Sequence, residues 1–248
     1  MIILKNDEQI QKMHVANQIV KHTLELLEKH IKPGISTKKL DEMAEDFIRS
    51  QNAIPNFKNY AGFPASICAS VNDVVVHGIP SSYIILKEGD IISIDCGVLK
   101  SGYNGDAART FPVGSISNEK QRLIEVTKEC FFKGIENVCI GDTLNKIGSQ
   151  IQKYAEENGF SVVREMVGHG IGKSLHEDPE VPNYDRKDNN IIIKEGLTIA
   201  IEPMINMGKK DIYIDYDGWT CRTKDHKPSA HYENTVAFTS DGIKILSL

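Results

Sequence analysis

The chain has 248 residues, 40% of them hydrophobic and 25% charged, with a net charge of −5, an ordinary balance for a soluble globular protein. The negative charge gives no support for nucleic acid or an anionic membrane as a partner. No run approaches the roughly 20 apolar residues that span a bilayer. The start, Met1-Ile2-Ile3-Leu4-Lys5-Asn6-Asp7, turns polar too early for a signal peptide. Cys68, Cys96, Cys130, Cys139 and Cys221 contain no C-x-x-C pair and read as reduced thiols of a cytosolic, cytoplasmic protein.

From about Asp7 to His30, Ile10, Met13, Ala16, Ile19, Val20, Leu24 and Leu27 recur at helical spacing. Pro33-Gly34 stops that helix, and Ser36 caps a second one with Leu40, Met43, Ala44, Phe47 and Ile48 on one face. Strand-like runs follow near 66–71, 74–79, 91–98 and 106–113. A helix from about Asn118 carries Leu123, Val126, Cys130 and Phe131. Gly141-Asp142 precedes another, with Leu144, Ile147, Ile151 and Tyr154. Further strands are expected near 161–167, 197–205 and 232–239. Tyr213 to Thr223 reads as a hairpin around Asp217-Gly218, a type I′ turn pair.

Two of these strands repeat each other. Lys87-Glu88-Gly89 leads through an apolar run to Asp95, and Lys194-Glu195-Gly196 leads through another to Glu202. The offset is constant at 107 residues (194 − 87 and 202 − 95), and Gly34 and Gly141 share it (141 − 34). The pattern predicts an α+β chain of two pseudo-symmetric halves, roughly 1–115 and 116–248, with a mostly antiparallel sheet in the middle and helices outside. A Gly-rich βαβ phosphate-binding signature is absent, which argues against a nucleotide enzyme.

An acid ending a half-buried strand is costly to desolvate, and here it happens twice in register. The Gly97–Gly105 stretch would bring Asp95 and Asp106 side by side. Gly168-His169-Gly170-Ile171-Gly172 offers an imidazole between glycines that let backbone pass close to a ligand. Glu202-Pro203 and Tyr232-Glu233-Asn234-Thr235 add two more acids. Asp, Asp, His, Glu and Glu form an oxygen-rich set suited to Mn²⁺, Fe²⁺, Co²⁺ or Zn²⁺. Four carboxylates raise each other's pKa, and two bridged divalent ions would relieve that repulsion and activate a water. Taken singly, each acid reads as a solvated surface group and His169 as a turn residue.

The chain resembles the type I methionine aminopeptidases of the pita-bread metallopeptidases from its first helix to its last strand. The most specific stretches are Asn72-Asp73-Val74-Val75-Val76-His77-Gly78-Ile79-Pro80, Asp95 with Asn104-Gly105-Asp106, Gly168-His169-Gly170-Ile171-Gly172, Glu202-Pro203-Met204 and His231-Tyr232-Glu233-Asn234-Thr235. The resemblance implies a pita-bread fold over one catalytic domain, 1–248, that removes the initiator methionine from nascent polypeptides and prefers a small second residue. It implies two divalent ions: Asp95 on one, His169 and Glu202 on the other, Asp106 and Glu233 bridging. Glu202 would also move a proton, His176 would stabilise the oxyanion, and His77 would bind the scissile amide or the next residue. The methionine pocket falls on Tyr60, Phe63, Cys68, Leu175 and Trp219, with Phe57 where many bacterial relatives carry cysteine. A monovalent cation (Na⁺ or K⁺) is expected on carbonyls near Asn72, Val74 and Ser229.

On the residues alone, His77 and His176 read as structural turn histidines, and Cys68 and Leu175 as core. His14, His22, His30, His226 and His231 are expected to stay structural. The resemblance further implies a cytoplasmic monomer, of the short bacterial form, that meets its substrate at the ribosome. Isoleucine at position 2 predicts that the chain keeps its own Met1; amino-terminal sequencing of protein from its native host checks this, and Ile2 as first residue would refute it. Two rivals stand beside this reading: an aminopeptidase P or prolidase, which uses the same five ligands, and a non-catalytic pita-bread module that binds peptides or proteins.

Overall fold

The computed structural model describes residues 1–248. Helix α1, Asp7–Glu28, starts in a reciprocal cap: Gln9 N–H donates to the Asn6 side chain, and the Gln9 side chain accepts from Asn6 N–H. Helix α2, Thr37–Ser50, is capped by Ser36, as its sequence predicts. Helices α3 (Asn118–Ile135) and α4 (Asn145–Glu157) repeat the arrangement in the second half. The apolar face of α1 and α2 closes one core with Ile67, Ile92, Ile94 and Val98. The faces of α3 and α4 close another with Ile199, Ile201, Ile205 and Val236.

The 107-residue repeat is matched in backbone detail. Gly89 and Gly196 both have positive φ, +87° and +83°, at the third position of a turn closed by Asp90 N–H to Lys87 O and by Leu197 N–H to Lys194 O. Only glycine takes that conformation without strain. Isolated bridges Ser36–Ile85 and Thr143–Ile192 again differ by 107 residues (143 − 36 and 192 − 85).

The expected central sheet is divided. Every strand pair is antiparallel, but the strands group into sheets of four, three, three and five. The run expected at 197–205 breaks into Thr198–Ile201 and Met204–Asn206, which belong to different sheets. The last run begins earlier than expected and breaks likewise, into Ser229–His231 and Asn234–Thr239. Glu202-Pro203 and Tyr232-Glu233 are therefore two of the points where the chain crosses between the same pair of sheets, residues 163–167 being another. Proline has no N–H to continue a ladder.

Other expectations are corrected. The 161–167 run keeps only Ser161–Val162 as strand, and Gly168–Gly170 forms its own. The hairpin Ile212–Ile214 with Cys221–Thr223 exists, yet Asp217-Gly218 is not a two-residue type I′ turn. Asp217 lacks the positive φ that type requires, and its carboxylate instead accepts from Trp219 N–H, Thr220 N–H and the Thr220 hydroxyl. A two-residue turn with positive φ at both positions does occur, at Ser101-Gly102, and it sets the register of strands Ile91–Lys100 and Tyr103–Pro112.

Candidate metal centre

That register pairs Asp106 with Gly97 and Asp95 with Ala108, so the two carboxylates lie diagonally on one face rather than directly opposite. Helix α1 crosses closely beneath Gly105, where an added Cβ would meet the Asn17 backbone at 2.6 Å. The Asp106 N–H donates to the Asn17 side chain and to Thr235 Oγ1, and Asp106 O accepts from the same Thr235 hydroxyl at 2.9 Å. Glu233 leaves its own ladder and donates its N–H to Ala108 O at 3.0 Å. The second half thereby lays Glu233 beside the acids of the first.

His169 sits between Ala200 and Glu180 on neighbouring strands. Its flanking glycines serve backbone packing rather than ligand approach: a Cβ on Gly168 would strike Ala200 O, and one on Gly170 would strike Asp178 O. The His169 Nδ1–H donates to Gly170 O at 2.8 Å, an assignment that leaves Nε2 as a free lone pair. Nε2 lies 3.8 Å from Asp106 Oδ2 and 3.7 Å from Glu202 Oε1. Donor atoms of Asp106, His169 and Glu233 all fall within 4.8 Å of one another.

Electrostatics states the problem this cluster poses. Burial and then its acidic neighbours push Asp106 and Glu233 well above the usual carboxylate range; burial and the Asp95 charge do the same to Glu202. Burial lifts Asp95 to about 7. Burial, then the nearby His176, holds His169 down to about 3, so its imidazole is neutral. Asp95 Oδ1, Asp106 Oδ1 and Glu233 Oε1 are buried without any hydrogen-bond partner. Arg109, the nearby cation, donates to the Glu233 carbonyl and the Asn234 side chain, not to the carboxylates. Orphaned, buried carboxylate oxygens that no protein donor reaches fit divalent cations.

A cavity of about 350 Å³ opens over the cluster. It is lined by all the side chains singled out from the sequence: Asp95, Asp106, His169, Glu202 and Glu233, with His77, His176, Tyr60, Phe63, Cys68, Leu175 and Trp219. Their meeting at one place is tertiary, since they come from strands, loops and turns across the chain. The family model for metallopeptidase family M24 matches residues 11–240. The chain belongs to that family. It is 54% identical to a methionine aminopeptidase of Clostridium acetobutylicum over all of this chain and 99% of that protein. It is 51% identical to methionine aminopeptidase 1 of Bacillus subtilis, again over 100% and 99%. The crystal structure of methionine aminopeptidase from Rickettsia prowazekii superposes with a TM-score of 0.97 at 43% identity, covering both chains fully.

Within this M24 chain the apolar end of the cavity is ordered by ring contacts. Phe63 and His77 both meet Trp219 edge-on, with ring centroids 5.2 Å and 6.3 Å away. Phe57 is buried against Gly97, where an added Cβ would strike its ring. His176 stands edge-on to His169 at 4.2 Å, and Tyr60 OH is hydrogen-bonded to its Nδ1 at 2.7 Å. Burial lowers the pKa of both His77 and His176.

Sequence reasoning missed four contributors. Met166 lines the cavity beside Gly168-His169, and Glu165 and Glu180 stand at its rim. His231, expected to be merely structural, puts Nε2 3.7 Å from Glu202 Oε2 and has no partner there. The signal was its pairing opposite Met204, two residues past Glu202, which needs the strand register to be seen. Near the expected monovalent-cation carbonyls, Ser229 N–H donates to Asn72 O at 2.9 Å. All five cysteines are free, and no helix is long and apolar enough to cross a membrane.

Proposed function

We propose that this chain is a metallo-aminopeptidase that removes the initiator methionine from nascent polypeptides. One observation carries the reading: a cluster of four carboxylates, three of them with a buried oxygen that no protein group hydrogen-bonds, and one neutral imidazole forms the floor of a cavity whose other end is aromatic and apolar. Asp95, Asp106, His169, Glu202 and Glu233 would hold two divalent ions. When bound, such ions supply Lewis-acid polarisation and lower the pKa of water toward about 7.

The chain's own groups do the rest. The acidic floor attracts the α-amino group, which restricts cutting to a terminal residue. The methionine thioether packs against ring edges of Phe63 and Trp219, beside Cys68 and Leu175. Glu202 takes a proton from the attacking water and returns it to the leaving amine. With Tyr60 OH donating to Nδ1, the His176 proton sits on Nε2 and is free to donate to the oxyanion. His77 hydrogen-bonds the scissile amide or the next residue. Tyr60 thereby gains a second part, orienting His176.

The reading treats 1–248 as one catalytic unit, cytoplasmic and monomeric, that meets new chains at the ribosome and prefers a small second residue. A monovalent cation near Asn72, Val74 and Ser229 belongs to the same reading. Metal titration of the metal-free protein on Met-Ala-Ser tests it. Activity should rise from baseline with Co²⁺, Mn²⁺, Fe²⁺ or Zn²⁺ and exceed that on Ala-Pro-Ala. Preference for the proline peptide would favour the prolidase reading, and metal-independent function would favour a binding module.

A further inference from the structure

The loop from Gly172 to Glu177 carries Leu175 and His176 into the cavity, and it has few apolar anchors of its own. It is held at its start by Asn104, which donates its backbone N–H to Gly172 O at 2.9 Å and its side-chain amide to Gly172 O and Lys173 O at 3.0 Å. Its far end is held from a distant part of the chain. Lys5 Nζ donates to Glu177 Oε2 at 2.6 Å, and Glu177 Oε1 accepts from Ser174 N–H at 3.1 Å. The Lys5 and Glu177 side chains are only 3% and 6% exposed, which is rare for an ion pair.

Lys5 also touches the near end of the same loop. A Cβ on Gly172 would meet Lys5 Cε at 2.4 Å, so the stem of the lysine lies across the glycine while its ammonium reaches Glu177. The backbone around Lys5 is fixed in turn: its N–H donates to Gly196 O at 2.7 Å, and its Nζ also donates to Ile3 O at 2.8 Å. Lys5 therefore spans the base of the loop, and its own place is set by the second Lys-Glu-Gly turn.

From this geometry we infer that Lys5 is a positioning residue for His176, acting through Glu177. The inference rests on the role given to His176 above. A donor displaced by an ångström from its target loses much of its effect, by up to about a hundredfold for a rigid site. The buried pair costs desolvation, and removing one partner alone strands a charge, so the pair is best removed together.

The test uses the full chain loaded with Mn²⁺. Lys5→Met/Glu177→Met should lower kcat on Met-Ala-Ser by about tenfold while KM changes by less than about threefold. Its Mn²⁺ dissociation constant, measured calorimetrically, should stay within about twofold, because none of the proposed ligands is touched. The single variant Lys5→Arg, with Glu177 kept, should retain most of the original turnover, since it preserves a donor to Glu177. Lys38→Met removes the pair with buried Asp41 and serves as a control for plain destabilisation; its kcat should be unchanged. The inference is overturned if the double variant keeps full kcat while His176→Ala loses it, or if Lys38→Met lowers kcat as much. If His176→Ala keeps full turnover, the role of His176 itself falls and this inference falls with it.

Discussion

In the first half, Asp95 lies inside strand Ile91–Lys100, paired on both edges, with Cys68 on one side and Ala108 on the other. In the second half, its counterpart Glu202 lies just past Thr198–Ile201, where Pro203 ends the ladder. The same turn and the same apolar run thus deliver one acid into a rigid ladder and the other to a break between sheets. An acid held by two neighbouring strands suits a fixed ligand. An acid at a break, with His169 and His231 beside its two oxygens, has room to exchange a proton.

Substitution at these paired positions gives the largest effect. Glu202→Gln should lower kcat on the order of 10³-fold, in the range of a lost general base, and saturating metal should not restore it. Asp95→Asn should show its defect mainly as weaker metal binding, so excess Mn²⁺ should recover a larger share of turnover. Equal rescue of both would break the comparison.

Metal removal follows. Asp95 is lifted by burial to about 7 in the protein without ions, far above the ordinary carboxylate range. A raised folded-state pKa means stability that is full below about pH 4 and lost as pH rises through about 7. The thermal midpoint of metal-free protein should therefore fall across that window, while Mn²⁺, by compensating the ionised acids, should flatten the curve. A flat metal-free curve would remove the carboxylate repulsion from the account.

A smaller effect is expected at the apolar end. Trp219→Ala removes the ring that faces Phe63 and His77, and should raise KM for Met-Ala-Ser by about tenfold with little change in kcat. Smallest is a test on the outside of the two halves. Ser36 caps α2 through Lys39 N–H, whereas α4 has no side-chain cap at Leu144. Ser36→Ala should cost about 1 kcal/mol by chemical denaturation. Thr143→Ala, at the equivalent position, should cost less.

Much of this molecule was legible because its local signals are strong. Helical spacing, the Ser36 cap and the two Gly turns depend on neighbours in the chain, and they appear where the residues place them. The Asp217-Gly218 turn failed because a local competitor, the Asp217 carboxylate, takes the nearby N–H groups. His231 and Met166 were missed although each lies within three residues of a candidate ligand, because which way they face is set by strand register and packing rather than by neighbours in the chain.

What the sequence determined by itself was the repeat, the element types and the identity of the five candidate ligands, since periodicity, φ preference and side-chain chemistry are carried residue by residue. What only the tertiary structure decided was how those ligands meet. Glu202 and Glu233 reach the cluster because the chain changes sheets at both, and Glu233 and Asp106 are joined by hydrogen bonds between the halves, at Ala108 and Thr235. The brace of Lys5 on the His176 loop joins groups 172 residues apart. Such contacts depend on closing long loops around a shared core, an energy that no local stretch of sequence contains.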